Sequence, residues 1–160
     1  GHVQARTNLL LALTEHGNRL ARAGRDAAAM RAFERVLAVD ARNLEALERL
    51  GALLHRGGRP AEARARFEAA AAAAPERFAP RLSLAILDLE AGRPRDAVAR
   101  LEPLTAGWDG AHRAQFFLGE AYTALGDGAR ARAAFEACVR LAPMGDQMAA
   151  EARRKLTTMQ

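Results

Sequence analysis

Apolar and small residues recur along the chain in two nested rhythms. The short one is a spacing of three and four, as in Leu13, Gly17 and Leu20, then Ala29, Met30, Phe33, Val36 and Leu37. This is the stripe that an amphipathic helix buries on one side. The long one is a step of 34 residues, which links Gly24, Gly58, Gly92 and Gly126, and separately Gly17, Gly51 and Gly119 with Ala85 in the remaining place. The same step joins Phe33, Phe67, Leu101 and Phe135, and also Leu20, Leu54 and Tyr122, with Asp88 as the exception. The column Ala29, Ala63, Ala97 and Ala131 adds little in so alanine-rich a chain, whereas 13 glycines and 6 phenylalanines among 160 residues do not align by chance.

Each period holds two helices. The first is expected to close at the Gly24, Gly58, Gly92 or Gly126 position, where glycine can take left-handed backbone. The second starts just after it, with Pro60 and Pro94 placed in a first turn that tolerates proline. Pro75 and Pro143 then stop the second helix in two of the units. Gly17, Gly51, Ala85 and Gly119 fall inside first helices, where glycine costs about 1 kcal/mol relative to alanine, so close helix approach must offset that loss. The recurring phenylalanine is expected to fill the space opposite.

This spacing predicts hairpins over residues 10–43, 44–77, 78–111 and 112–145. Residues 1–9 are expected to comprise a tag remnant, Gly1 and His2, and an extension of the first helix. The third hairpin diverges: Asp88 replaces an apolar residue, Asp109 stands where a closing proline is expected, and Pro103 falls inside the second helix, predicting a kink or an early end before the loop Gly107–Gly110. Residues 146–160 read as a capping helix, with Asp146 as N-cap and Met148, Ala152, Leu156 and Met159 apolar, because Arg153 occupies the small-residue place. The run Ala69–Ala74 reads as thin, closely packed helix.

The units Leu50-Gly51, Leu54, Gly58, Ala63, Phe67, Pro75 and Leu118-Gly119, Tyr122, Gly126, Ala131, Phe135, Pro143 resemble the tetratricopeptide repeat (TPR) family, a likeness extending over residues 10–145. The pentatricopeptide family of RNA readers also stacks hairpins, but the period here shows no drift from 34. The resemblance implies an all-α fold, a right-handed α-solenoid of four TPR hairpins plus the capping helix, with a concave face lined by the first helix of each hairpin. It also implies a protein-binding scaffold without catalysis.

On each first helix the stripe beside the packed one is left to face that groove. The first unit offers Thr14, Asn18 and Arg22, the second Arg49, Ala52 and Arg56, the third Leu82, Ile86 and Glu90, and the fourth Phe116, Phe117 and Glu120. One of Phe116 and Phe117 is expected to pack inward, and the sequence does not decide which. The groove is basic toward one end and apolar with acidic residues toward the other, which suits a protein or peptide ligand carrying acidic and apolar side chains. A terminal-carboxylate clamp of the kind some family members carry is incomplete, since Asn18 is its only match.

Chemistry narrows the reading further. His2, His16, His55 and His112 are scattered and lack the spacing of helix-borne metal ligands, and His16 is expected to be buried on the packed stripe. No cofactor motif or nucleophile motif appears, so neither metal nor cofactor nor catalytic residue is expected. Cys138 shares a column with Val36, Ala70 and Leu104 and reads as packing. The net charge of +5 comes from 23 arginines and one lysine, Lys155, against 19 acids. It is spread so that no unit carries more than +2, which argues against the phosphate track that nucleic acid requires. With no long apolar stretch, membrane insertion is not expected, and one cysteine leaves cytoplasm and periplasm both open. The arginine bias points to a bacterial source and hence to an adaptor in a larger bacterial assembly. Two alternatives stand beside it: the repeat region of a longer enzyme, and a scaffold that self-assembles into a homo-oligomer through the apolar Leu9–Leu11 edge.

Overall fold

Four glycines decide where the chain reverses. Gly24, Gly58, Gly92 and Gly126 have φ of 69°, 72°, 69° and 75°, a region that a Cβ disfavours. At each, the glycine N–H donates three residues back and the next N–H five residues back, as in Gly24 to Ala21 and Arg25 to Leu20. This Schellman pattern satisfies the last carbonyls of a helix. In the computed structural model, described over residues 1–159, these turns join α1 (His2–Arg22) to α2 (Asp26–Val39), α3 (Leu44–Arg56) to α4 (Pro60–Ala73), α5 (Phe78–Glu90) to α6 (Pro94–Leu101) and α7 (Ala111–Ala124) to α8 (Gly128–Leu141). A ninth helix, α9 (Gln147–Thr158), follows. Among the described residues there is no strand, and no helix is long and apolar enough to cross a membrane. The helices group into two compact units, Gly1–Pro80 and Arg81 onward, with the boundary inside α5.

In the first unit α1 packs on α2, α2 on α3 and α3 on α4. The small residues make these approaches close: a Cβ on Gly17 would lie 2.9 Å from the Phe33 ring, and one on Gly51 2.7 Å from the Phe67 ring. Asn43 caps α3 by accepting from the Ala46 N–H at 3.1 Å, and Pro60 opens α4. The alanine run carries α4 to Ala73, with Ala70 and Ala74 buried. The extra N-terminal turns of α1 are tied down by Arg6, whose guanidinium donates to the Val39 carbonyl at the end of α2 at 2.8 Å.

His16 is exposed, contrary to the sequence expectation. The stripe is a packed one elsewhere, since its equivalents Leu50, Leu84 and Leu118 are all buried. On α3 that stripe faces α2, whereas on α1 none of the described residues covers His16. Leu82 also departs from its expected place: it is 1% exposed, because it lies three residues before Ala85 and so shares that packed face.

In the second unit α7 packs on α6 and α8, and α9 on α8 and α7. Gly119 meets Phe135 as closely as its counterparts meet theirs. Pro103 ends α6 after eight residues, and Glu102–Leu104 forms a 3-10 turn. Asp88 is buried, yet Arg93 and Arg100 each donate to its carboxylate at 2.7 Å, which supplies the partners a buried charge requires. Tyr122, its counterpart one period later, donates to Glu102 at 2.9 Å. The side chains of Asp127 and Asp146 cap α8 and α9. Val36, Ala70, Leu104 and Cys138, the column shared by all second helices and the turn after α6, are 0% exposed.

Candidate functional site

The faces of α1 and α3 beside the packed stripe meet in the first unit around an open pocket of about 410 Å³, lined by Asn18, Ala21, Arg22, Arg49 and Arg56. Four of these five are residues singled out in the sequence. Internal acids already occupy most of the cations. Arg22 pairs with Glu15 at 3.2 Å, and Arg56 donates to Asp26 through Nε and Nη2 at 3.1 and 2.8 Å. Asn18 donates to Glu45 at 2.8 Å. Arg49 is exposed and, among the described residues, makes no ion pair. Ala52 is exposed but outside the lining. Asp26, Glu15 and Glu45, which set the charge left over in this pocket, were not legible as a group, since Asp26 lies 30 residues from Arg56 in the chain.

On α5, Ile86 is half-buried and Glu90 exposed. On α7 of the second unit, Phe116 and Phe117 are both half-buried. Their rings meet edge to face at 5.5 Å, and Phe116 also stacks against the core ring of Phe135 at 5.8 Å. Phe116 is thus the inward member of the pair. Glu120 is half-buried and lies 2.9 Å from Lys155 on α9, with angles that miss hydrogen-bond geometry. The only lysine of the chain therefore offsets the acid expected at this end. Cys138 is fully enclosed, and burial, with Asp146 nearby, pushes its thiol up to about 11. Such a thiol is not a nucleophile at neutral pH.

A family model described as tetratricopeptide repeat matches residues 14–77 and 82–145, and a second of the same description matches 54–107. No curated protein matches. Among solved structures, MamA from Desulfovibrio magneticus RS-1 is similar with a TM-score of 0.78 at 20% identity, covering 94% of each chain. YrrB, a TPR protein with an unusual peptide-binding site, aligns with a TM-score of 0.71 at 18% identity over 92% of this chain and 84% of its own. A variant of the Thermobaculum terrenum O-GlcNAc transferase aligns with a TM-score of 0.74 at 26% identity, over 84% of this chain but 26% of the transferase. With the family models spanning most of the sequence and the helical hairpins in place, the chain belongs to the tetratricopeptide repeat family.

Proposed function

We propose that the chain is a non-catalytic scaffold that holds an extended segment or helix of a partner protein against its first helices. The observation that carries this reading is the convergence of Asn18, Arg22, Arg49 and Arg56 on one open pocket in which Arg49 keeps an uncommitted charge. A carboxylate of the ligand binds Arg49, where a planar guanidinium offers paired donors. Apolar ligand side chains are received by first-helix faces such as that of Phe116 and Phe117, with Ile86, Ala52, Glu90 and Glu120 setting the flanking chemistry. The reading is supported by family membership and by the peptide-binding site described for YrrB. It assigns no role to nucleic acid, metal or cofactor, and places the chain as an adaptor in a larger assembly.

The test is a pulldown from bacterial lysate with the unmodified chain and with Arg49→Glu, a change at an exposed, unpaired residue that leaves helical circular dichroism intact. A protein retained by the first and lost with the second supports the scaffold. Equal retention by both removes it. A second reading, the repeat region of a longer enzyme, is favoured by the likeness to one part of a glycosyl transferase, and the full-length coding sequence decides it.

A further inference from the structure

A second concavity, of about 320 Å³, lies between α1 and α2 of the first hairpin and shares no lining residue with the groove pocket. Leu20, Ala28 and Ala32 form its floor, and His16, Arg25, Arg31 and Arg35 ring it. The first hairpin departs from the other three at three of these places. Residues equivalent to Arg25 and Ala28 form ion pairs elsewhere: Arg59 with Glu62 at 2.6 Å, Arg93 with Asp96 at 3.5 Å and Arg130 with Asp127 at 2.5 Å. Here the acid is replaced by Ala28. Residues equivalent to Arg31 are Ala65, Ala99 and Ala133, and those equivalent to Arg35 are Ala69, Pro103 and Ala137. Each departure leaves this face more positive: the pair Arg25 and Ala28 carries no acid, and arginine stands at 31 and 35 in place of alanine or proline. Among the described residues, none of Arg25, Arg31 and Arg35 makes an ion pair.

We propose that this face of the first hairpin, formed by α1 and α2, is a second docking surface whose occupant is an acidic amphipathic helix of a partner protein. Two observations select a helix of that charge. The equivalent stripe on α3, Leu50 and Leu54, is 1% and 3% exposed beneath the preceding hairpin, so the surface has the shape that receives a helix within this same chain. Three unpaired arginines around an apolar floor then require carboxylates flanking an apolar stripe. The terminal helix of a second copy does not supply them, because α9 carries Arg153, Arg154 and Lys155 against a single acid, Glu151. The pocket lining holds no Phe, Tyr or Trp ring on which a base could stack.

The probe is a fluorescein-labelled helical peptide of about 20 residues, long enough to be helical, with leucine on one stripe and glutamate on both flanks. A counterpart carries lysine on the flanks. Anisotropy is measured with the 160-residue chain at physiological salt. The glutamate peptide is expected to bind, and the lysine peptide not. Arg31→Ala/Arg35→Ala, which installs the alanines found in other hairpins, is expected to weaken binding about tenfold or more. Ala28→Glu, which restores the acid that pairs with this arginine position elsewhere, weakens it in the same direction. The same measurements are repeated in Arg49→Glu, whose groove lacks its free cation: binding that persists there and is lost with Arg31→Ala/Arg35→Ala belongs to this face, so failure here is separable from failure of the groove. The proposal is overturned by equal binding of both peptides, by loss with Arg49→Glu alone, by competition from a single-stranded oligonucleotide, or by a dimer that Arg31→Ala/Arg35→Ala dissolves.

Discussion

Alanine is the better helix former, yet Gly51 holds its place. Substituting Gly51→Ala gains about 1 kcal/mol of helix propensity, but the new Cβ would meet three atoms of the Phe67 ring at 2.7 to 3.0 Å. Overpacking of this kind costs about 1–3 kcal/mol, so the clash wins. Urea unfolding is expected to show Gly51→Ala destabilised, with most of the loss recovered in Gly51→Ala/Phe67→Leu. The third hairpin already contains that exchange, with Ala85 and Leu101 in the two places and both fully buried. Cys138 makes a second residue-scale prediction. Its thiol sits at about 11 in the fold against an ordinary 9.0, so between those values the unfolded chain binds fewer protons than the folded one. Stability is unaffected below pH 9 and falls as pH rises through about 11. Thermal melts should show this alkaline loss, and Cys138→Ala should flatten it; iodoacetamide at pH 8 should label the native thiol far more slowly than the urea-unfolded one.

Turns and helix ends carry the same logic to the element. The joint between α5 and α6 uses the same glycine geometry as the others, but the residue it fixes from below is a carboxylate. Asp88→Asn keeps the shape and removes the charge from Arg93 and Arg100. Their side chains are 47% and 42% exposed and rehydrate, which limits the cost to about 1–3 kcal/mol. Asp88→Leu installs the apolar residue found in the first two hairpins and should come out closer to the native melting temperature than Asp88→Asn. If the asparagine variant melts no lower than the native chain, the ion pairs are not what holds this joint. The glycine and proline punctuation of α1 to α8 was legible because each is a local backbone demand repeated every 34 residues. The partners of Asp88 were not, since Arg100 lies 12 residues on and across a turn. The exposure of His16 was equally hidden, because a helical stripe states which side can pack and not whether a neighbour covers it. The offset of Glu120 depends on Lys155 from α9, outside the repeating pattern.

The whole molecule divides its spectroscopic reporters unevenly: Trp108 and Tyr122, the only tryptophan and tyrosine, both lie in the second unit. Emission therefore follows residues 81 onward, while far-ultraviolet circular dichroism follows all the helices. In a repeat array each hairpin draws stability from its immediate neighbours, and α9 is the neighbour that covers α7 and α8. Ending the chain after Gly145 uncovers the apolar surface now shielded by Ala149 and Ala152 and leaves Glu120 without Lys155. Removal of a helix seated on apolar residues is worth about 2 kcal/mol or more. The truncated chain is expected to lose its tryptophan transition at lower urea, whereas the helical signal, still supported by α1 to α4, separates into two steps. A truncation that shifts both signals together by the same amount shows instead that the two units unfold as one, and that the stabilising reach of α9 extends beyond the hairpin it covers.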